Sequence, residues 1–269
     1  MTSGSTQTQP IGKYVRINDI DMYYEIHGSG YPLVLLHGGG STIHTTFGSV
    51  IPALAKMHQV IAVELQAHGH TGDRDAQETF EQDAADVIEL LRQLNIPKAN
   101  IFGFSNGGQT AMELGIKYPQ KVNKLIIASA FYKRDGVPAG FWGGFDSATL
   151  NNMPQVYQDG YLRITNDRAG LQNMFEKDVQ RMRTFKDWKE EDIRSIQAPS
   201  LIVIGNQDMP LPEHAVEMHR LIPNSSLAIL PGTHGSYMGE AMMPDVDRKL
   251  TDFFVAIVDE FLISNEYIE

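Results

Sequence analysis

Short runs that are apolar at every position alternate along the chain with longer stretches whose apolar residues recur at helical spacing. "PLVLLHGGG", with its run Leu33 to Leu36, "HQVIAVEL", "NIFGF", "KLIIAS" and "SLIVIG" are of the first kind. A strand buried on both faces has no polar side to display, so such runs predict the inner strands of a mostly parallel sheet. "SSLAIL" adds a last strand, and "KYVRIND" with "DMYYEIHG" predicts an opening hairpin turned at Asn18-Asp19. In "FEQDAADVIELLRQLNI" the residues Ala84, Val87, Ile88, Leu91 and Leu94 share one helical face, with acids toward its start. Ser105 to Tyr118 reads as a second helix ending before Pro119, and Val246 to Leu262 as a closing amphipathic one. Strand and helix in alternation predict an α/β sheet covered on both faces.

That rhythm breaks once. From Phe131 to Ala198 the chain is rich in Phe, Tyr, Trp and Met, with helix-like but no strand-like patterning. A structureless loop of that size is foreign to a compact domain, so a helical insertion is expected. The expected organisation is a polar tail over residues 1–12, a core formed by 13–130 and 199–269, and the insertion at 131–198.

Composition narrows the possibilities. The 269 residues, 42% apolar and 20% charged, suffice for one large domain with a full core. A net charge of −11, from 33 acidic and 22 basic residues without a basic cluster, argues against nucleic acid and anionic membrane partners. The chemistry at the strand ends points instead to a small-molecule substrate. The absence of cysteine removes disulfides, thiolate metal sites and thiol catalysis together. "MTSGSTQTQP" has neither the basic start nor the apolar stretch of a secretory signal, and no apolar run reaches the ~18 residues of a membrane span. A cytoplasmic protein is the default expectation. Only "HGH" (His68, His70) with Asp73 offers metal-ligand types close together, and the expectation is no metal and no cofactor.

The chemistry gathers where strands end. "GFSNGG" follows one buried run and opens a helix, so Ser105 stands at a strand-to-helix turn with glycines two residues to either side. An N-capping serine in a plain glycine-rich turn would read the same in isolation. At such a turn, however, the N–H of Asn106 becomes a donor for a developing oxyanion. "LLHGGGS" ends another strand and supplies a second donor, Gly39, with Gly40 as the fallback; His37 is expected to brace this loop. "GNQD" puts Asp208 past a later strand, and "GTHG" puts His234 past the next. Loops after parallel strands converge on one sheet edge, so Ser105, Asp208 and His234 are expected to meet there, in the chain order that a nucleophile, orienting acid and base take on such sheets. Glu213 and Asp135 compete for the acid's role. Phe131, Tyr132, Phe141, Trp142, Phe145, Met153 and Tyr157 are the candidates to line an apolar pocket, Phe131, Trp142, Phe145 and Met153 foremost. Arg134, Arg163, Arg168, Arg181 and Arg183 are possible carboxylate binders, although single arginines on helices are usually solvated.

From about Lys13 to the C-terminus these motifs resemble the α/β-hydrolase superfamily. "LLHGGG" is similar to its oxyanion loop, "GFSNGG" to its nucleophile elbow, "GNQD" to its acid turn and "GTHG" to its histidine loop. The resemblance implies a mostly parallel eight-stranded sheet with helices on both faces and a helical cap inserted after the sixth strand. It also implies Ser105, Asp208 and His234 as catalytic residues. Among capped members the chain is most similar to small esterases and cofactor-free haloperoxidases. It departs from proline iminopeptidases at Asn106 and from meta-cleavage hydrolases at Gly235, where those commonly carry Trp. The loop "ELQAHGHTG" departs from the usual family pattern, with Leu65 in place of an acid. The expected activity is cleavage of a small, fairly apolar carboxylic ester through an acyl-enzyme. The alternatives are C–C bond hydrolysis or perhydrolase chemistry on the same triad, and a hydrolase-like small-molecule receptor.

Overall fold

The computed structural model describes residues 12–243 and 248–264. Residues 1–11 of the expected tail, and Val246 at the expected start of the closing helix, lie outside them. The strands are β1 (Lys13–Ile17), β2 (Ile20–His27), β3 (Tyr31–Leu36), β4 (His58–Val63), β5 (Ala99–Phe104), β6 (Val122–Ala128), β7 (Ser200–Gly205) and β8 (Ser225–Leu230). The helices are α1 (Ile43–Phe47), α2 (Ile51–Leu54), α3 (Phe80–Gln93), α4 (Asn106–Lys117), α5 (Gly140–Asp146), α6 (Gln155–Thr165), α7 (Arg168–Arg183), α8 (Glu190–Arg194), α9 (Pro212–Leu221) and α10 (Arg248–Ile263).

The strands form one sheet in the order β1-β2-β4-β3-β5-β6-β7-β8, antiparallel at β1-β2 and β2-β4 and parallel from β4 to β8. The opening hairpin turns at Asn18 and Asp19, whose φ angles of 40° and 71° suit a tight two-residue turn. The continuous apolar runs have the expected cause. In β3, Val34 and Leu36 pack with α3, α4 and α9, whereas Leu33 and Leu35 pack with α1, α2 and α10 on the opposite face. In β4, Ile61 and Val63 divide from Val60 and Ala62 in the same way.

Between β6 and β7 the chain forms helices only, α5 to α8 with two short 3-10 turns. Met153, Tyr161, Leu171 and Met174 of this insertion build a small cluster around Ala67, and Phe131, Val137, Met182 and Phe185 build another around Phe80. The insertion thus carries its own apolar seams against the loop after β4 and the start of α3.

Candidate active site

The turn between β5 and α4 is tight enough to exclude side chains beside it. A Cβ on Gly103 would lie 2.0 Å from the Gly107 carbonyl oxygen, and one on Gly107 would lie 2.0 Å from that of Leu36. Ser105 itself takes φ 52° and ψ −123°, a conformation that costs a non-glycine residue about 1–3 kcal/mol. Its backbone N–H, bonded to the Ala128 carbonyl at 2.9 Å, helps hold it there.

His234 and Asp208 meet across two loops. His234 Nδ1 donates to Asp208 Oδ1 at 2.7 Å, and that carboxylate is fully buried. Three further donors complete its shell: Met209 N–H to Oδ1 at 2.7 Å, and Ser129 Oγ at 2.5 Å and Gly205 N–H at 3.1 Å to Oδ2. Tyr237 donates in turn to Ser129 at 2.7 Å. Burial alone would raise the Asp208 pKa, but the bond and charge of His234, with Ser129 and Gly205, hold it below the ordinary value. The bond to Asp208 leaves His234 Nε2 as the ring's other face for proton transfer, and the ring packs against Phe104 at 4.8 Å between centroids. Neither competing acid has this position: Asp135 lies in a 3-10 turn after β6 and Glu213 in the first turn of α9.

Ser105, Asn106, Gly38 to Ser41 and His234 border one cavity of about 460 Å³. The rest of its wall is largely apolar. Phe131, Phe145, Met153, Phe141 and Tyr157 border the cavity. Trp142 does not. It donates its indole N–H to the Arg134 carbonyl at 3.0 Å and stacks under the Arg134 guanidinium, 3.8 Å from its ring centroid. Tyr132 is also absent, buried against the imidazole of His214. Met182, Met209 and Met242 line the cavity without having been anticipated. A larger groove of about 690 Å³ beside it, bordered by Gln77, Gln172 and Lys177, contains none of the candidate triad.

His37 braces the glycine loop as its position suggested. It bonds Gly38 O through Nδ1 at 2.8 Å and accepts Leu65 N–H on Nε2 at 3.0 Å. Burial pushes its pKa down to about 3, so it is neutral. His68 and His70 do not act together: His68 pairs with Asp178 at 3.0 Å, His70 with Glu64 at 2.9 Å, while Asp73 binds Lys177. Among the described residues no group of three His, Cys, Asp or Glu is placed to hold a metal ion.

The feature that the sequence concealed is charged. Asp178 and Arg181 on α7 are buried, and Asp178 reaches the cavity wall beside the glycine loop Gly38 to Gly40. Arg181, grouped above with solvated arginines, is 4% exposed and bonds Asp83 and Asp178. Their i, i+3 spacing on α7 was the only available signal, and it is common on helix surfaces.

The family model of the alpha/beta hydrolase fold matches residues 31–241. The chain belongs to that family. It is 28% identical to a human relative, serine hydrolase BPHL, over 92% of this chain and 85% of that one. It is 26% identical to 2-hydroxy-6-oxo-2,4-heptadienoate hydrolase of Pseudomonas putida, over 91% of this chain and 97% of that one. The solved structure of a serine hydrolase involved in carbazole degradation superposes with a TM-score of 0.77 at 22% identity, covering 94% and 99% of the two chains, and so shares the fold. This hydrolase family member is accordingly an enzyme with hydrolase activity toward small molecules. No helix among the described residues is long and apolar enough to cross a membrane.

Proposed function

We propose that the protein is a serine hydrolase of small, fairly apolar carboxylic esters, with Ser105 as nucleophile, His234 as general base and acid, and Asp208 as its orienting partner. The reading rests above all on one observation, the 2.7 Å bond to a saturated, buried carboxylate made by His234, which borders the same cavity as Ser105. His234 takes the Ser105 proton as Oγ attacks the ester carbonyl, then returns it to the leaving alkoxide; water repeats the sequence on the acyl-enzyme. The N–H groups of Gly39 and Asn106 receive the oxyanion. Gly40, the fallback, has its N–H committed to Asp178 at 2.5 Å. Helices of 131–198 act as the cap over this site, and the methionines and phenylalanines of the wall accommodate an acyl or alkyl chain by adjusting their rotamers.

A relative that hydrolyses a dienoate makes C–C cleavage the second reading. Such a substrate carries a carboxylate, and no Lys or Arg borders the cavity among the described residues, which favours a neutral ester. A fluorophosphonate probe, followed by peptide mapping with and without His234→Ala, tests the central claim. Labelling at Ser105 that depends on His234 is the expected result. Folded protein that resists the probe, or labelling indifferent to His234, would remove the nucleophile assignment. Turnover of p-nitrophenyl esters against a vinylogous diketone then separates the two chemistries.

A further inference from the structure

One carboxylate touches both halves of the proposed oxyanion site. Asp178 Oδ2 accepts the Gly40 N–H at 2.5 Å, and its Oδ1 accepts the Asn106 side-chain amide at 3.5 Å. The remaining positions on the two oxygens are filled by His68 Nε2 at 3.0 Å and by Arg181. With every lone pair engaged, Asp178 has nothing left for a cationic substrate group, although it borders the cavity.

A carboxylate is an awkward neighbour for a developing oxyanion, because like charges at close range raise the barrier. The surroundings answer this. Both ring nitrogens of His68 face acceptors, Gln66 O at 2.8 Å and Asp178, so the ring is an imidazolium. Burial works against that charge, but Asp178 outweighs it and lifts the His68 pKa to about 9. Arg181 also binds Asp83 at 2.9 Å. Glu78, pushed up to about 8 by burial, keeps its proton at neutral pH. Two cations therefore face two carboxylates, and the cluster is neutral.

We infer that Asp178 is a positioning residue of the oxyanion site, fixing the Gly40 peptide and the Asn106 side chain so that the Gly39 and Asn106 N–H groups converge on one point, with His68 and Arg181 cancelling its charge. The inference rests on the Ser105 reading above. Gly40 has φ +67°, a region open to glycine among several others, so its own backbone preference does not fix the peptide. Because Asp178 belongs to α7, the proposed cap completes the oxyanion site through it.

The test is Asp178→Asn, assayed with p-nitrophenyl butyrate, with active sites counted by fluorophosphonate titration. A trifluoromethyl ketone of matched chain length is measured as inhibitor, since its hemiketal oxyanion occupies the same donors. Expected are a kcat per titrated site lowered about tenfold or more, an equal weakening of the ketone, KM within about twofold, and an unchanged acid limb of kcat/KM against pH. A merely structural role would lower the titrated fraction and leave kcat per site and the ketone unaffected; that result overturns the inference. So does a loss confined to KM. If Asp178→Asn does not fold, His68→Gln decides, since it keeps a donor to Asp178 and removes the charge: parallel losses in kcat and ketone affinity support the inference, and wild-type values for both refute it. Failure of the wild type to label at Ser105 would sink the serine-hydrolase reading itself, and this inference with it.

Discussion

Ser105 pays for its exposure in backbone strain, and that strain is measurable. At φ 52° and ψ −123° glycine is at ease where serine is not, so Ser105→Gly is expected to be more stable than Ser105→Ala by about 1 kcal/mol, both being inactive. Urea midpoints of the two variants check this; equal midpoints would mean that the turn stores no strain. Asp208 carries a prediction of another kind. Asp208→Asn keeps the shape but reverses the hydrogen-bond sense toward His234 Nδ1, favouring the unproductive tautomer, and is expected to lower kcat by about 10³–10⁴. A loss below about tenfold would return the acid's role to another residue. These positions were legible because each lies within four residues of the C-terminal end of an apolar run, where the topology of a parallel sheet forces convergence. Trp142 was not. In an aromatic-rich insertion the pattern says only that rings are buried, and Arg134 holds this one away from the cavity.

At the scale of elements, the β5–α4 turn works because two chains of backbone pass within contact of one another. Gly107→Ala would put a Cβ 2.0 Å from the Leu36 oxygen, backbone that cannot rotate away. The expected cost is about 3 kcal/mol in stability, with ester turnover lost, read from urea denaturation and active-site titration together. Wild-type stability would show that β3 and α4 can separate, which the shared burial of Leu36 and Ala111 argues against. The strands of the core were readable for the same reason that they are rigid: residues facing both ways are buried, leaving no polar alternation to confuse the pattern. Helix α7 shows the opposite case. Its "EKDVQRMR" has the charge density of a solvated surface, and the buried partners of Asp178 and Arg181, His68 and Asp83, lie 110 and 98 positions away in sequence. No local period encodes that meeting; it requires the insertion to fold back over the loop after β4.

The buried cluster reaches beyond the site, because its proton affinities differ from those of the unfolded chain. His68 holds its proton to about pH 9, against an ordinary value of 6.5, since the attraction of Asp178 exceeds the penalty of burial. Its contribution to stability is fully present below 6.5 and disappears as the pH rises through 9. Glu78 moves in the same direction for a different reason: burial lifts its pKa from 4.5 to about 8, so the folded state retains a proton that the unfolded state has released. His44 and His70, drawn upward by hydrogen bonds to Glu25 and Glu64, add to the trend. Below 6.5 opposing contributions meet: Glu78 down to 4.5, and Asp83, pushed up to about 6 by burial, still favour the fold as acid is added. His37 and His214, depressed by burial to about 3 and about 4, are neutral in the fold and protonated when unfolded, so acid favours unfolding through them. Asp208, held low chiefly by His234 against the effect of burial, adds to that loss only in stronger acid. Lys124, lowered by burial, opposes the alkaline decline, but nearer its ordinary 10.5. Stability is therefore expected to fall from pH 6.5 toward pH 9, with a melting temperature lower at pH 9 by more than about 4 °C at constant ionic strength. Glu78→Gln removes one of the titrations and should flatten that decline, whereas a substitution at exposed Glu190 should leave it unchanged. A melting temperature that held steady or rose between pH 6.5 and 9 would mean that the His68–Asp178 pair is not the ionic clamp that its geometry describes.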